Sequence, residues 1–202
     1  MVLSLCGEAL VVAASQMPSS VSPRSLPSSQ SLPTVLEREL AARGIRARVV
    51  NAGVSGDTTA GGRRRLAFTL DGLKRAPDLA IVGLGANDAL RGLDPAETRR
   101  NLDAILAELN RRGIPVLITG MMAPRNLGSA YIDSFEAIYP DLADKHDARL
   151  DPFLLEGVIT RRELLLPDGM HPNARGIEHI ARRLAPGVAA ELQKHRRPAK
   201  AA

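Results

Sequence analysis

Asp168 and His171 lie three residues apart in the segment DGMHPN, residues 168 to 173. A carboxylate at this spacing can accept a hydrogen bond from one imidazole nitrogen and so fix the tautomer of the ring. The other nitrogen can then take a proton from a nucleophile, as in a nucleophile–histidine–aspartate triad. The same spacing is typical of a tight turn in which the aspartate accepts bonds from backbone amides. The sequence alone leaves both interpretations open.

A second polar segment, NAGVSGDTTAGG, covers residues 51 to 62 and follows an apolar stretch. Gly56 has no side chain, so its backbone N–H can approach a substrate oxygen closely. An amide near the start of a helix suits an oxyanion. The alternative is a plain glycine turn in which Asp57 or Thr58 caps the next helix. Taken in isolation, the segment favours this alternative.

The third polar segment is LGANDAL, residues 84 to 90. The side-chain amide of Asn87 can donate to a developing oxyanion, and one such donor contributes about 3–4 kcal/mol in the transition state. The alternative is an Asx turn closed by Asp88. Each of the three segments is only suggestive alone, but together they form a stronger constellation because all three follow predicted strands.

The elements that would position these residues alternate between strand and helix from residue 32 onward. Continuous apolar runs predict strands, and apolar residues with helical spacing predict helices. Pro140 is expected to bend or interrupt the fourth helix, and Pro186 to break the last one. The predicted strands cover 46–51, 78–85, 114–120 and 149–155, and the predicted helices cover 31–44, 58–73, 94–113, 129–148 and 174–195. This order predicts a parallel sheet with helices on both faces, which binds ligands beyond the carboxyl ends of its strands.

Composition limits the classes of function. The 202 residues are 45% hydrophobic, which suits one globular domain, and carry a net charge of +5. Aromatic residues make up only 2% of the chain, which argues against a nucleic-acid stacking surface. The single Cys6 excludes an internal disulfide. No apolar run reaches the ~20 residues that cross a membrane. We therefore predict no nucleic-acid partner and no stable membrane insertion, and no pattern predicts the oligomeric state.

A metal-dependent reaction is a weaker interpretation. Asp57, Asp88, Asp168 and His171 could meet at the sheet edge, but no HxxxH motif or ladder of paired carboxylates supports a metal site. A lone histidine is more often structural than catalytic, so the remaining histidines are predicted to be structural: His146, His179 and His195.

Three stretches resemble conserved blocks of the SGNH, or GDSL, hydrolases: VVNAGVSGDTTAGG, LAIVGLGANDALRG and LPDGMHPNARG. The chain is most similar to the bacterial branch of thioesterase I, lysophospholipase L1 and arylesterases. The resemblance implies a flavodoxin-like three-layer α/β/α sandwich over residues 31–192. Residues 1–30 would form an atypical N-terminal segment with a possible first strand, and 193–202 a basic tail. Loops at 121–131 and 153–166 are expected to shape the pocket.

The resemblance also implies a chemistry: hydrolysis of a small acyl ester or thioester through a serine acyl-enzyme, with no cofactor. Gly56 and Asn87 would be oxyanion donors beside the amide of the nucleophile. His171 would be the general base, and Asp168 its orienting partner. The family further implies a periplasmic or secreted protein. The first sixteen residues lack a basic n-region, however, so no clear signal peptide is predicted and a cytoplasmic location stays open.

The departure from the family lies in its first block, where Gly-Asp-Ser-Leu should follow a strand. The string CGEAL places Ala9 at the nucleophile position, and a methyl group cannot attack a carbonyl. Counting back from the first helix without a gap places Ser19 there instead, with the strand at residues 9 to 14. Ser20 is the second candidate. Pro18 precedes Ser19 and restricts the local backbone.

An alternative function follows from this departure. Residues 15 to 31, SQMPSSVSPRSLPSSQS, are rich in Ser and Pro where the family has its first block. A local change of reading frame would produce that pattern. The protein would then be a catalytically impaired member that lacks the nucleophile, retained as a ligand binder or made from a frame-altered gene.

Overall fold

The computed structural model describes residues 9–15 and 27–195. Five strands form one sheet: β1 (Ala9–Ser15), β2 (Ala47–Asn51), β3 (Leu79–Gly83), β4 (Val116–Thr119) and β5 (Arg149–Asp151). The order across the sheet is β2-β1-β3-β4-β5, and every neighbouring pair is parallel. The observed β1 spans the segment in which the family alignment placed a first strand, at residues 9 to 14.

The described residues form seven α-helices, of which the first six connect strands and the last follows β5: α1 (Leu32–Ala41), α2 (Thr59–Asp71), α3 (Ala86–Leu90), α4 (Pro95–Arg111), α5 (Ser129–Glu136), α6 (Ile138–Lys145) and α7 (Ala174–Lys194). Short 3₁₀ turns lie at Ser28–Gln30, Arg125–Leu127 and Arg162–Leu164. Helices α1 and α7 pack together, whereas α2, α5 and α6 pack against α4. The helices form two layers that enclose the parallel sheet, so the predicted three-layer α/β/α fold is confirmed.

The core lies between these layers, and the burial of single elements follows their sequence patterns. Strand β3 is buried along its whole length, as expected for an apolar strand covered on both faces. The predicted apolar stripe of α4 faces the sheet, and each of its members is at most 2% exposed: Leu102, Ile105, Leu106 and Leu109. Asp94 caps α4 by accepting a hydrogen bond from the Ala96 amide at 2.9 Å.

Pro140 interrupts the fourth predicted helix, as expected. The helix divides into α5, which ends at Glu136, and α6, which begins at Ile138. Proline has no backbone N–H, so the carbonyl four residues earlier, on Glu136, loses its helical partner. The division therefore falls directly after Glu136, whose carbonyl the missing N–H of Pro140 would have bonded.

The expected break at Pro186 does not occur, and this prediction is wrong. Helix α7 continues through Pro186 from Ala174 to Lys194. The missing N–H leaves the Arg182 carbonyl without a helical partner, but Arg182 and Pro186 both lie on the exposed side, where water can bond that oxygen. On the opposite side, the apolar stripe of α7 packs against α1 and the sheet and keeps the helix together.

No helix in the described ranges has the length and apolar character needed to span a bilayer.

Replacing Pro186 with Ala should raise the free energy of unfolding by about 1–3 kcal/mol. Alanine restores the N–H and is a far better residue in a helix interior, although proline also restricts the unfolded chain. Urea unfolding measures the difference. Pro95→Ala is the matched control, because proline is favoured at the first helical position. A Pro186→Ala protein no more stable than the wild type would contradict the account of α7.

Candidate active site

The turn from Asp168 to His171 contains both kinds of hydrogen bond that its spacing allows, from the imidazole and from backbone amides. One carboxylate oxygen, Oδ2, lies 2.8 Å from Nδ1 of His171. The other, Oδ1, accepts the backbone N–H groups of Met170 at 2.9 Å and His171 at 3.0 Å. Gly169 supplies the left-handed backbone of the turn with a φ of 71°. The same carboxylate therefore shapes the turn and orients the imidazole.

Hydrogen bonding holds the pKa of Asp168 at about 2, below its usual value of 3.8. The backbone N–H groups of His171 and Met170 are the main causes, and the His171 side chain adds to them. Donors that point at a carboxylate stabilise its charged form. Asp168 is therefore ionised at neutral pH and can stabilise a protonated imidazole.

A tight turn follows β2 and presents Gly56 to the solvent. The amide of Asp57 donates to the carbonyl of Val54 at 3.2 Å, and Gly56 has a φ of 76°. A positive φ at the third residue of a β-turn strongly favours glycine. Thr58 then caps α2, because its side chain accepts from the amide of Gly61. The capping alternative and an exposed amide at Gly56 are therefore compatible.

Asn87 lies in the short helix α3, which follows β3 through Gly85. Gly85 has a φ of 117°, and a Cβ there would lie 2.1 Å from the Tyr139 hydroxyl, so no larger residue fits. That hydroxyl donates to the Leu84 carbonyl at 3.0 Å and fixes the end of the strand. The side-chain Nδ2 of Asn87 donates to the carbonyl of Asp57 at 2.9 Å. The amide side chain is thereby joined to the turn that carries Gly56.

Gly56, Asn87 and His171 line one cleft at the carboxyl ends of the strands, with a volume of about 370 Å³. Asp168 lies behind His171 and holds its ring. Most of the other side chains that line the cleft are apolar: Leu90, Met121, Met122, Phe153, Leu155, Ile159, Met170 and Pro172. The arrangement brings an imidazole, two groups with N–H donors and a long apolar surface to one place.

The predicted nucleophile, Ser19, and its alternative, Ser20, lie outside the described residues. The backbone of β1 ends at Ser15, which pairs with Gly83 of β3 at the cleft edge of the sheet. Among the described residues that line the cleft, Ser55 is the only serine. Sequence reasoning passed over Ser55, although it directly precedes Gly56 in the polar segment.

The other predicted carboxylates have protein partners. Asp57 pairs with Arg65 at 2.7 Å, and the buried Asp88 accepts from the hydroxyl of Thr59 at 2.5 Å. Within the described part of the chain, no three His, Cys, Asp or Glu side chains converge on a point that could hold a metal ion. His146 lies 2.6 Å from Asp103, away from the cleft, and His195 pairs with Glu191.

Sequence reasoning missed two features of the cleft. The first is its methionines: Met121 and Met122 follow β4, and Met170 belongs to the turn from Asp168 to His171. The second is Arg125, an exposed cation in an otherwise largely apolar lining. A pocket loop at 121–131 was expected, but single residues in a loop carry no periodicity that would show which way they face.

Comparison with known proteins identifies the family. Residues 20–178 match the GDSL-like lipase/acylhydrolase family. The chain belongs to this family of acyl hydrolases. The match begins one residue after Ser19, so it does not cover that residue.

Curated relatives are bacterial esterases. The chain is 39% identical over 170 residues to an arylesterase of Vibrio mimicus, covering 84% of this chain and 82% of the relative. It is 40% identical over 147 residues to esterase TesA of Pseudomonas aeruginosa, covering 73% and 72%. Among solved structures, the SGNH-hydrolase family esterase AlinE4 is 47% identical with a TM-score of 0.77, covering 93% of this chain and 98% of that one. The cellular location of this protein, whether periplasmic, secreted or cytoplasmic, stays a prediction.

Asp168 should stay ionised on acidification to about pH 3. In the unfolded chain the pKa of an aspartate is ~3.9. Above that pH the ionised Asp168 contributes its full stabilisation to the folded turn, and this contribution is lost as the pH falls through the folded pKa of about 2. The ¹³Cγ shift of Asp168, followed downward from pH 6, measures this. A protonation midpoint near 4 would contradict the hydrogen bonding described for the turn.

The His171→Ala variant is the control for the cause of the shift. Since backbone N–H groups are its main source, the pKa of Asp168 should remain below its usual range without the imidazole. A return to the ordinary value in this variant would show that the side chain of His171, rather than the turn, lowers the pKa.

Proposed function

We propose that this protein hydrolyses carboxylic esters or thioesters through a serine acyl-enzyme. The observation that carries the proposal is the convergence of His171, oriented by an ionised Asp168, with Gly56 and Asn87 on one cleft. The family and the curated relatives support it, since these include an arylesterase and a thioesterase 1/protease 1/lysophospholipase L1 of Escherichia coli.

The first half-reaction requires a serine hydroxyl, for which we propose Ser19. With Nδ1 of His171 bonded to Asp168, Nε2 is the nitrogen that accepts the hydroxyl proton. The serine oxygen attacks the acyl carbon, and the carbonyl oxygen becomes negatively charged. The backbone N–H of Gly56 and the side-chain amide of Asn87 are proposed to bond this oxyanion.

The first half-reaction ends when the tetrahedral intermediate collapses and the bond to the leaving group breaks. His171, now protonated, gives its proton to the departing alcohol or thiol, and the acyl group remains on the serine. In the second half-reaction, a water molecule loses a proton to His171 and attacks the same carbonyl carbon. Collapse of the second tetrahedral intermediate breaks the bond to the serine oxygen, which takes the proton back from His171, and frees the carboxylic acid.

The cleft favours a substrate with an apolar acyl chain. Methionine side chains are flexible and adapt to irregular apolar ligands, which suits acyl groups of different lengths. Arg125 adds a positive charge and makes no ion pair with another described residue. We propose that it attracts substrates whose leaving group carries a negative charge.

A second candidate function rests on the altered first block. The family match begins at residue 20, so Ser19 is not covered by it. Without a nucleophile, the cleft would still bind an acyl ligand but would not turn it over. Covalent labelling separates the two functions.

A fluorophosphonate probe should label the wild-type protein on Ser19, because an activated serine displaces the fluoride. Mass spectrometry of the labelled peptides locates the adduct. His171→Ala and Ser19→Ala should each abolish labelling and slow hydrolysis of p-nitrophenyl butyrate by about 10³-fold or more. Ser20→Ala is the matched control and should retain both.

The position of the adduct decides between the candidates. An adduct on Ser15, Ser20 or Ser55 would reject Ser19 as the nucleophile and retain the acyl-enzyme. No adduct together with no hydrolysis would reject the enzymatic function and favour the ligand binder.

Arg125→Glu should lower kcat/KM for a long-chain acyl-CoA, which is negatively charged, more than for the neutral p-nitrophenyl ester of the same acid. The expected difference between the two substrates is on the order of 10-fold, because reversing the charge changes a screened attraction into repulsion. The difference should shrink as salt is added. Arg100→Glu, an equal charge reversal on α4 outside the cleft lining, is the control. An equal loss for both substrates would contradict selection by charge.

A further inference from the structure

Helix α3 and the residue that follows it bind the segment that carries Gly56 at three residues, Gly56, Asp57 and Thr59. Nη2 of Arg91 donates to the Gly56 carbonyl at 2.9 Å, and Nδ2 of Asn87 donates to the Asp57 carbonyl at 2.9 Å. Asp88 accepts both the backbone N–H of Thr59, at 2.9 Å, and its hydroxyl. We call these three side chains, Asn87 and Asp88 of α3 and Arg91 directly after it, the α3 clamp.

Buried contacts hold α3, which carries the clamp, in place. Asp88 is only 2% exposed and also accepts from the Thr98 hydroxyl of α4 at 3.4 Å. Ala89, its neighbour, is 1% exposed. Arg91 follows the last residue of α3, and its side chain bonds the carbonyl next to the one that Asn87 bonds. Because the buried part of α3 is fixed, Asn87 and Arg91 present their donors from a fixed position.

The clamp acts on the segment whose geometry an oxyanion hole requires. Gly56 has no Cβ and can adopt either sign of φ at little cost, so its backbone is the least restricted part of the turn. With the Gly56 and Asp57 carbonyls both held, the peptide groups on the downstream side cannot rotate without breaking a hydrogen bond. The Gly56 N–H belongs to the peptide group immediately upstream, which lies between the Gly56 carbonyl, bonded by Arg91, and the Val54 carbonyl, bonded by the Asp57 amide, so both of its neighbouring peptide groups are held.

We propose that Arg91 is a positioning residue for the reaction, acting on the oxyanion through Gly56 rather than touching the substrate. The inference rests on the proposed function for its catalytic consequence, but the clamp itself is a property of the fold. A positioning role for Arg91 differs from direct binding of substrate, because loss of Arg91 should then lower kcat more than it raises KM.

Arg91→Met tests the proposal, since methionine retains the apolar stem and removes every donor. We expect kcat per fluorophosphonate-labelled site to fall by about 10-fold, with KM within twofold, because a small misplacement of a transition-state donor slows catalysis strongly. Arg91→Lys keeps one charged donor and should recover part of the loss. Arg100→Met on α4 is the control and should leave kcat unchanged.

Amide hydrogen exchange provides a measurement that does not depend on turnover. The Asp57 amide, bonded to Val54 within the turn, should exchange several-fold faster in Arg91→Met than in wild type, whereas amides in the centre of α4 should not change. Faster exchange in a protein that never hydrolyses esters would support the clamp and reject the proposed function. Unchanged exchange at Asp57, or a loss confined to KM in an active enzyme, would overturn the inference.

Discussion

The order of the strands is the constraint on which the site depends. The chain runs from β1 through α1 to β2 on one side, and then through α2 to β3 on the other side of β1. Because all strands are parallel, the neighbouring strands β1 and β3 send their connections in opposite directions, from β1 to β2 and from β3 to β4, and a crevice opens between their carboxyl ends. Gly56 follows β2 and Asn87 follows β3, so topology alone brings the two segments together. The last loop before α7 adds His171 to the same edge.

Within that crevice, polar groups serve structure and chemistry together. Asp168 uses one oxygen for backbone amides and the other for the imidazole. Asn87 lines the cleft and also bonds the turn of Gly56. Alternatives that looked exclusive in the sequence are therefore combined: a tight turn with a carboxylate–imidazole bond, and a helix cap with an exposed glycine amide. A carboxylate has two oxygens and a primary amide two N–H groups, so one side chain can satisfy both demands.

Much of the fold and of the cleft could be predicted from local patterns. The α4 stripe, the Asp94 cap and the interruption at Pro140 follow from side-chain spacing and from the missing proline N–H. Pro186 shows where such reasoning fails, because its effect depends on whether the orphaned carbonyl faces water or the core. Arg125 and the methionines belong to loops without periodicity, so their direction is set by tertiary packing. The contact of Arg91 with Gly56 joins residues 35 apart in the chain and has no local signal.

The site also shows which features the fold requires for its own stability and which it does not. Asp88 is buried and bonded to three donors, so it is needed to join α2 and α3. The ion pair of Asp168 with His171 is substantially exposed, and pairs of this kind contribute little to folding. An oriented imidazole at the mouth of an apolar cleft therefore has no explanation in the stability of the sandwich. Its geometry suits the proton transfer that the proposed reaction requires, and the presence or absence of a serine nucleophile would distinguish an enzyme from a ligand binder with the same fold.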